Sequence, residues 1–128
     1  MRARQLAFRV ASVWVILAGA LLLFPGLGNV VFDLDLTNWG LASEYGGLLL
    51  ALGAMYWLFS TDPDRYAPVI PVIALGLLLN VLVNVYWWSV GEYSAQAAVI
   101  NVALGTVMAV WFWTVRPRAS HAASTSTT

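Results

Sequence analysis

The sequence predicts an all-α membrane protein, an antiparallel bundle of four transmembrane helices with an outer surface segment between helices 1 and 2. Three observations predict this fold. The chain contains four long apolar runs, its arginines all fall on the same side of the membrane that those runs imply, and its Trp and Tyr residues lie mainly near the ends of the runs. The composition agrees, because a chain that is 61% hydrophobic and 9% charged lacks the polar surface that would cover a water-soluble globule. We expect residues 1–115 to form one four-helix transmembrane domain and residues 116–128 to form a disordered cytoplasmic tail.

Each apolar run is close to the length that a helix needs to cross a bilayer. About 20 helical residues span a hydrocarbon layer of roughly 30 Å. The runs extend from Leu6 to Phe24, Ala42 to Ser60, Ala67 to Val90 and Ala95 to Val115. Four crossings return the chain to the side on which it starts.

The arginines predict the orientation, because the chain contains no lysine. They are Arg2, Arg4 and Arg9 before the first run, Arg65 between the second and third, and Arg116 and Arg118 after the fourth. Cytoplasmic segments of membrane proteins are enriched in Arg and Lys. We therefore expect a multi-pass protein of the cytoplasmic (inner) membrane with both termini and the Asp62 to Tyr66 turn inside.

The Trp and Tyr residues support the same map, because their rings prefer the headgroup region of a bilayer. The inner belt contains Tyr56, Trp57, Tyr66, Trp111 and Trp113, and the outer belt contains Trp39, Tyr45, Tyr86, Trp87, Trp88 and Tyr93. Trp14 alone lies deep. The alternative for the first run is a cleaved signal peptide, since Met1 to Arg9 is a basic start before an apolar stretch. More apolar chain follows the small residues there, which favours a retained helix.

The segments between the runs carry turn signals. Pro25 and Gly26 end the first helix, because Pro cannot continue the hydrogen-bond ladder and Gly favours the stop. The outer segment from Asn29 to Gly40 is either extended, with alternating apolar and acidic residues, or helical. The turn from Thr61 to Arg65 is tight, so we expect the second and third helices to form an antiparallel hairpin.

Small residues predict where helices touch, because close backbone approach supplies the packing between helices in lipid. The fourth run carries a stripe of Ala97, Asn101, Gly105 and Ala109, and the second run carries a stripe of Gly47, Ala51 and Ala54 beside Gly46 and Gly53. We expect these stripes to be seams inside the bundle. The alternative is a homodimer face.

Polar residues inside the apolar runs form the candidate ligand site. Asn80 and Asn84 are four residues apart and share a helix face, and Asn101 enters the next helix at a depth close to that of Asn84. An unpaired amide in hydrocarbon is costly, so we expect all three side chains to point inward. The complete candidate pocket, facing outward, contains Trp39, Glu44, Tyr45, Asn80, Asn84, Gln96 and Asn101. The alternative is that the asparagines only join helices, at about 0.6 kcal/mol per bond.

Several classes of protein are excluded by residue types that the chain lacks. There is no Cys for thiolate chemistry, and the single His, His121, lies in the expected tail. No Gly-rich phosphate loop with its Lys and no dinucleotide-binding fingerprint occurs. The acidic residues Asp33, Asp35 and Glu44 are best explained as a solvated outer face. We therefore expect no catalytic residue, no cofactor, no metal site and, at a formal net charge of +0, no nucleic-acid partner.

One short motif carries a family resemblance. Tyr45, Gly46, Gly47 and Leu48, with an outer loop that contains Leu34, Asp35 and Trp39 to Gly40, resemble a group of uncharacterised small four-helix membrane proteins that includes the BphX-like domains. The resemblance covers most of residues 6–115. It implies a four-helix bundle of the inner membrane and supplies no catalytic residue. Relatives often carry an Arg shortly before the motif, where this chain has Ala42 and Ser43.

These observations favour a non-enzymatic membrane protein with an accessory or structural role. Its expected partners are membrane lipid and either a second copy or another membrane protein. The alternative is an outward-facing protein that binds or transports a small amphiphile, such as a quinone or an aromatic compound, in the candidate pocket.

Overall fold

The computed structural model describes residues 2–32 and 38–118, and their regular structure is entirely helical. The helices are α1 (Arg2–Leu23), α2 (Pro25–Phe32), α3 (Trp39–Thr61), α4 (Ile70–Ser89) and α5 (Ala95–Val115), with a 3₁₀ turn at Ala67–Val69 directly before α4. Three helical stretches among these residues, namely α1, the stretch Ala67–Ser89 and α5, are long and apolar enough to cross a membrane. The prediction of a helical fold is confirmed for the described residues, and three of the four predicted crossings have a helix of suitable length and composition.

α3 is as long as the others, with 23 residues, but it lies outside that set of three. Glu44, Tyr45 and the Trp and Gly residues of α3 lower its mean hydropathy. By length and composition, α3 is therefore not among the candidate spans of the described residues.

Local signals explain where the helices begin and end. Pro25 starts α2 directly after a bend at Phe24, where a missing N–H is harmless because the first turn has no acceptor for it. The Asn38 side chain accepts a hydrogen bond from the Leu41 N–H at 3.0 Å, and Ser94 Oγ accepts one from the Ala97 N–H at 3.2 Å. These bonds cap α3 and α5.

The first helix pair is α1 with α3, which cross at three glycines. A Cβ on Gly19 would lie 2.8 Å from the Gly46 carbonyl oxygen. A Cβ on Gly53 would lie 3.2 Å from the Ser12 carbonyl oxygen. The Ser12 hydroxyl donates a hydrogen bond to the Gly53 carbonyl at 2.6 Å. The two backbones are thus in direct contact, which is how small residues join helices in lipid.

The second helix pair is α4 with α5. Ala97 and Ala109 are buried, and a Cβ on Gly105 would lie 2.7 Å from Val81 Cγ2 of α4. The stripe predicted on the fourth apolar run is therefore confirmed as a seam.

The two pairs join at the end of the molecule that carries the arginines, which we call the arginine end. The buried core there contains Ala7, Phe8, Ala11, Tyr56, Ala67, Ile70, Ala74, Met108 and Phe112. The fully buried Phe8 ring of α1 packs edge-on against Phe59 of α3 at 5.7 Å and against Phe112 of α5 at 5.5 Å between ring centroids. Phe8 therefore connects the two pairs.

Two packing predictions are wrong. α3 and α4 follow one another through a tight turn, but each packs along its length on a different helix, so they do not form the expected hairpin. The stripe of Gly47, Ala51 and Ala54 is exposed, and the adjacent face with Gly46 and Gly53 forms the seam instead. Both faces of α3 carry small residues, so the pattern alone did not separate them.

The outer segment is helical over its first residues, because Asn29 to Phe32 belong to α2. The acidic residues Asp33 and Asp35 fall outside the described residues, as does the expected tail from residue 119 onward.

Candidate functional site

The asparagines of α4 bond to each other along one helix. Asn84 is buried, and its side-chain Nδ2 donates to the Asn80 carbonyl oxygen at 2.9 Å and to Asn80 Oδ1 at 3.0 Å. Asn80 itself is exposed, which differs from the inward orientation expected for it. The free-energy cost of exposing the Asn80 amide to hydrocarbon is smaller than that of an isolated amide, because its oxygen already accepts a hydrogen bond from Asn84.

Asn101 on α5 is half-buried and is also satisfied within its own helix. Its Nδ2 donates to the Ala97 carbonyl oxygen at 3.0 Å, one turn earlier. Asn84 and Asn101 thus lie on the two helices of one pair, and each side-chain nitrogen donates to a carbonyl of its own helix.

The other candidate residues lie at the end opposite the arginines. Trp39, Glu44 and Tyr45 are exposed on α3, which packs against α1 and not along α4 or α5. Gln96 is exposed at the start of α5, and its Nε2 donates to the Val31 carbonyl oxygen of α2 at 3.3 Å. The candidate residues therefore divide between the two helix pairs.

A cleft that the sequence reasoning missed lies between α1, α2 and α5. Its volume is about 670 Å³, and its lining residues are Trp14, Leu17, Ala20, Leu21, Phe24, Leu27, Val31, Ile100 and Leu104. Ligand pockets typically have volumes of roughly 300–1,000 Å³ and mainly apolar walls. Because lipid-facing residues are also apolar, hydropathy cannot reveal such a cleft. The one available signal was Trp14, the single Trp placed away from both aromatic belts.

Gln96, a member of the candidate pocket, bonds to a residue that lines this cleft. Its bond to Val31 links α5 to α2 at the outer rim, one helical turn from Ile100. The cleft itself is lined by apolar side chains, so it can hold an apolar group by contact but offers no ionised side chain for catalysis.

Among residues 2–32 and 38–118, no three His, Cys, Asp or Glu side chains are grouped so that they could hold a metal ion. In the same part of the chain, every fully buried side-chain nitrogen or oxygen has a hydrogen-bond partner. The embedded polar groups are thus used to hold the helices.

Comparison of the chain with models of known protein families, with curated proteins and with solved structures gives no match.

Proposed function

We propose that this chain is a non-enzymatic accessory or structural protein of the cytoplasmic membrane, spanning it four times with both termini inside. The observation that carries the proposal is the closure of the embedded polar groups on the bundle's own backbone. Ser12, Asn84 and Asn101 donate to the carbonyls of Gly53, Asn80 and Ala97. Each of these bonds joins a side chain to a helix backbone, which supports a role in holding the helices. The resemblance to BphX-like proteins agrees with the proposal and stays a prediction.

The fourth span in this proposal is α3. Its 23 residues correspond to about 35 Å of helix, enough to cross a hydrocarbon layer of roughly 30 Å. The contacts of Gly46 and Gly53 with α1 lie seven residues apart, so the two helices run side by side over about two turns. If α1 crosses the membrane, α3 lies at the same depth. Its one acidic residue, Glu44, lies near the outer end, where water can solvate it.

The proposed orientation predicts the reactivity of single cysteines. Glu92→Cys, in the loop between α4 and α5, should react with a membrane-impermeant thiol reagent in intact cells, whereas Asp64→Cys, in the turn between α3 and α4, should react only after lysis. The sequence contains no Cys, so the protein itself contributes no background reaction. Labelling at position 64 in intact cells without labelling at position 92 would overturn the orientation.

The functional proposal predicts that Asn84→Leu combined with Asn101→Leu changes stability and nothing else. We expect a change in the free energy of unfolding of no more than about 1 kcal/mol, the usual size of such bonds in membrane proteins. Wild type and double variant would be purified in native-lipid discs and compared by thermal unfolding and by mass spectrometry of everything that co-purifies. A small amphiphile that the wild type retains and the double variant loses would contradict the accessory role.

A second candidate function is the binding of a small neutral amphiphile, and the cleft between α1, α2 and α5 favours it. Ala20→Trp would fill that cleft, and Ala103→Trp, at an exposed position of α5, is the matched control. Under this function the same mass spectrometry should find an amphiphile that is displaced by Ala20→Trp and retained by Ala103→Trp. Equal retention in both variants would eliminate the cleft as the binding site.

A further inference from the structure

The arginine end of the molecule carries much more positive than negative charge. All six arginines of the chain lie in its first helix, its α3–α4 turn or the segment after α5, and the carboxylates of those segments are Asp62 and Asp64. The remaining acidic residues are Glu44 and Glu92, toward the opposite end, and Asp33 and Asp35, which lie outside the described residues. This distribution gives the arginine end a strong attraction for anions.

Part of this charge is organised around a cleft between the start of α1 and the end of α5. The cleft has a volume of about 430 Å³ and is lined by Ala3, Arg4, Thr114, Val115, Arg116 and Arg118. Three arginines from two chain segments thus line one open, shallow cleft, with Val115 and Ala3 supplying its apolar part.

Two of these guanidinium groups are held in place. Arg4 Nε donates to the Val115 carbonyl oxygen at 2.8 Å, and Arg4 Nη1 forms an ion pair with Asp64 Oδ1 at 2.8 Å. Arg116 lies over the Trp113 ring, with its Cζ 4.0 Å from the ring centroid, and donates to the Trp113 carbonyl oxygen. Holding a side chain in advance reduces the conformational entropy that binding would cost.

The charge of the cleft is only partly neutralised. Asp64 pairs with Arg4, whereas neither Arg116 nor Arg118 forms an ion pair with another described residue. Arg118 is exposed and forms no hydrogen bond within the described part of the chain, so all its donors are available to a ligand.

We propose that this cleft binds the phosphate of an anionic phospholipid from the inner leaflet. Guanidinium groups match phosphate oxygens with paired, charge-assisted hydrogen bonds, and basic pockets between helices on the cytoplasmic side are suited to lipid headgroups. Trp113 and Val115 place the cleft at the boundary between headgroups and hydrocarbon, so the acyl chains of the bound lipid extend along α5. Arg116 and Arg118 make the main contacts with the phosphate. Arg4 makes a further contact while its ion pair with Asp64 persists.

The test compares lipid selection by variants that lose the same charge. Detergent-purified protein would be given equal amounts of dioleoyl phosphatidylglycerol and dioleoyl phosphatidylcholine, and bound lipid would be counted by native mass spectrometry. Arg116→Gln with Arg118→Gln removes two positive charges from the cleft. Arg9→Gln with Arg65→Gln removes two from the same end outside it, where these side chains lie over Trp57 and Tyr66.

We expect wild type and the Arg9/Arg65 variant to prefer phosphatidylglycerol equally. The Arg116/Arg118 variant should lose at least fivefold of that preference, which corresponds to about 1 kcal/mol, the contribution of one arginine near a charged membrane surface. Equal losses in both double variants would mean that only overall charge matters and would overturn the site. If the Arg116/Arg118 variant does not fold, the single change Arg118→Gln decides, because that side chain forms no hydrogen bond or ion pair with residues 2–32 or 38–118.

A second arm separates lipid from soluble anions. Inorganic phosphate and glycerol 3-phosphate at millimolar concentration should not displace the phosphatidylglycerol, because they lack acyl chains. Displacement would assign the cleft to a soluble phosphate and overturn the lipid proposal. These measurements are made in detergent, so their failure would leave the proposed accessory role and its four crossings unaffected.

Discussion

Replacing Gly46 with alanine is expected to force α1 and α3 apart and to lower the free energy of unfolding by about 3 kcal/mol, the upper part of the range for overpacked sites. The new Cβ would lie 2.5 Å from the Leu23 nitrogen, 2.7 Å from the Gly19 carbonyl oxygen and 2.9 Å from the Leu22 carbonyl carbon. All three atoms belong to the α1 backbone, so no side chain can rotate away. The whole helix must move, and the seam opens along its length.

Gly47 supplies the matched control for this experiment. It is the next residue on the same helix, and a Cβ there would meet nothing within 4 Å. Gly47→Ala should leave the protein unchanged or stabilise it by up to about 1 kcal/mol, because Ala is the better helix former. Thermal unfolding of both variants in the same detergent, followed by circular dichroism, makes the comparison. Equal destabilisation by the two changes would show that α3 presents a different face to α1.

Phe8→Ala is expected to separate the two helix pairs at the arginine end, at a cost of roughly 3 kcal/mol or more. The Phe8 ring is fully buried and contacts one ring from each pair, those of Phe59 and Phe112. Removing the ring leaves a cavity between the two helix pairs. The seam between α1 and α3 and the seam between α4 and α5 stay intact. We therefore expect each pair to persist while the contact between α1 and α5 weakens.

Two measurements together identify this outcome. The melting temperature should fall. Cysteines introduced at Ala3 and Thr114, which both line the cleft with Arg4, Arg116 and Arg118, should form a disulfide less efficiently in the Phe8→Ala variant than in the wild type. Phe24→Ala is the control. The Phe24 side chain is 64% exposed, so its removal should lower the stability of the protein only slightly. A normal melting temperature with unchanged cross-linking would mean that Phe8 does not connect the pairs.

The positions of the helices could be predicted from the sequence because their ends are determined locally. The fourth apolar run and α5 have the same bounds, Ala95 to Val115, since Ser94 caps the first turn and Arg116 with Pro117 follows the last. The first run was predicted from Leu6, but α1 begins at Arg2. Hydropathy measures only the part of a helix that matches hydrocarbon, whereas the hydrogen-bond ladder continues into the headgroup region.

The faces of the helices were harder to predict, because in lipid the inside and the outside of a bundle are both apolar. Gly46 and Gly47 are adjacent in sequence and equally small, yet one touches the α1 backbone and the other is exposed. The candidate site was limited in the same way. Depth in the membrane placed Asn84 and Asn101 at one level, but it could not show that each amide bonds to its own helix.

The bonds of Arg4 have a consequence for the order of assembly during synthesis. α1 and α3 can associate as soon as both have left the ribosome, because their seam needs no later residue. Arg4, however, lies near the beginning of the chain and donates to the carbonyl of Val115, the last residue of α5. The bond between the first turn of α1 and the end of α5 therefore forms only after the final helix has been inserted, whereas the bonds of the same turn to Ser60 and Asp64 need no later residue.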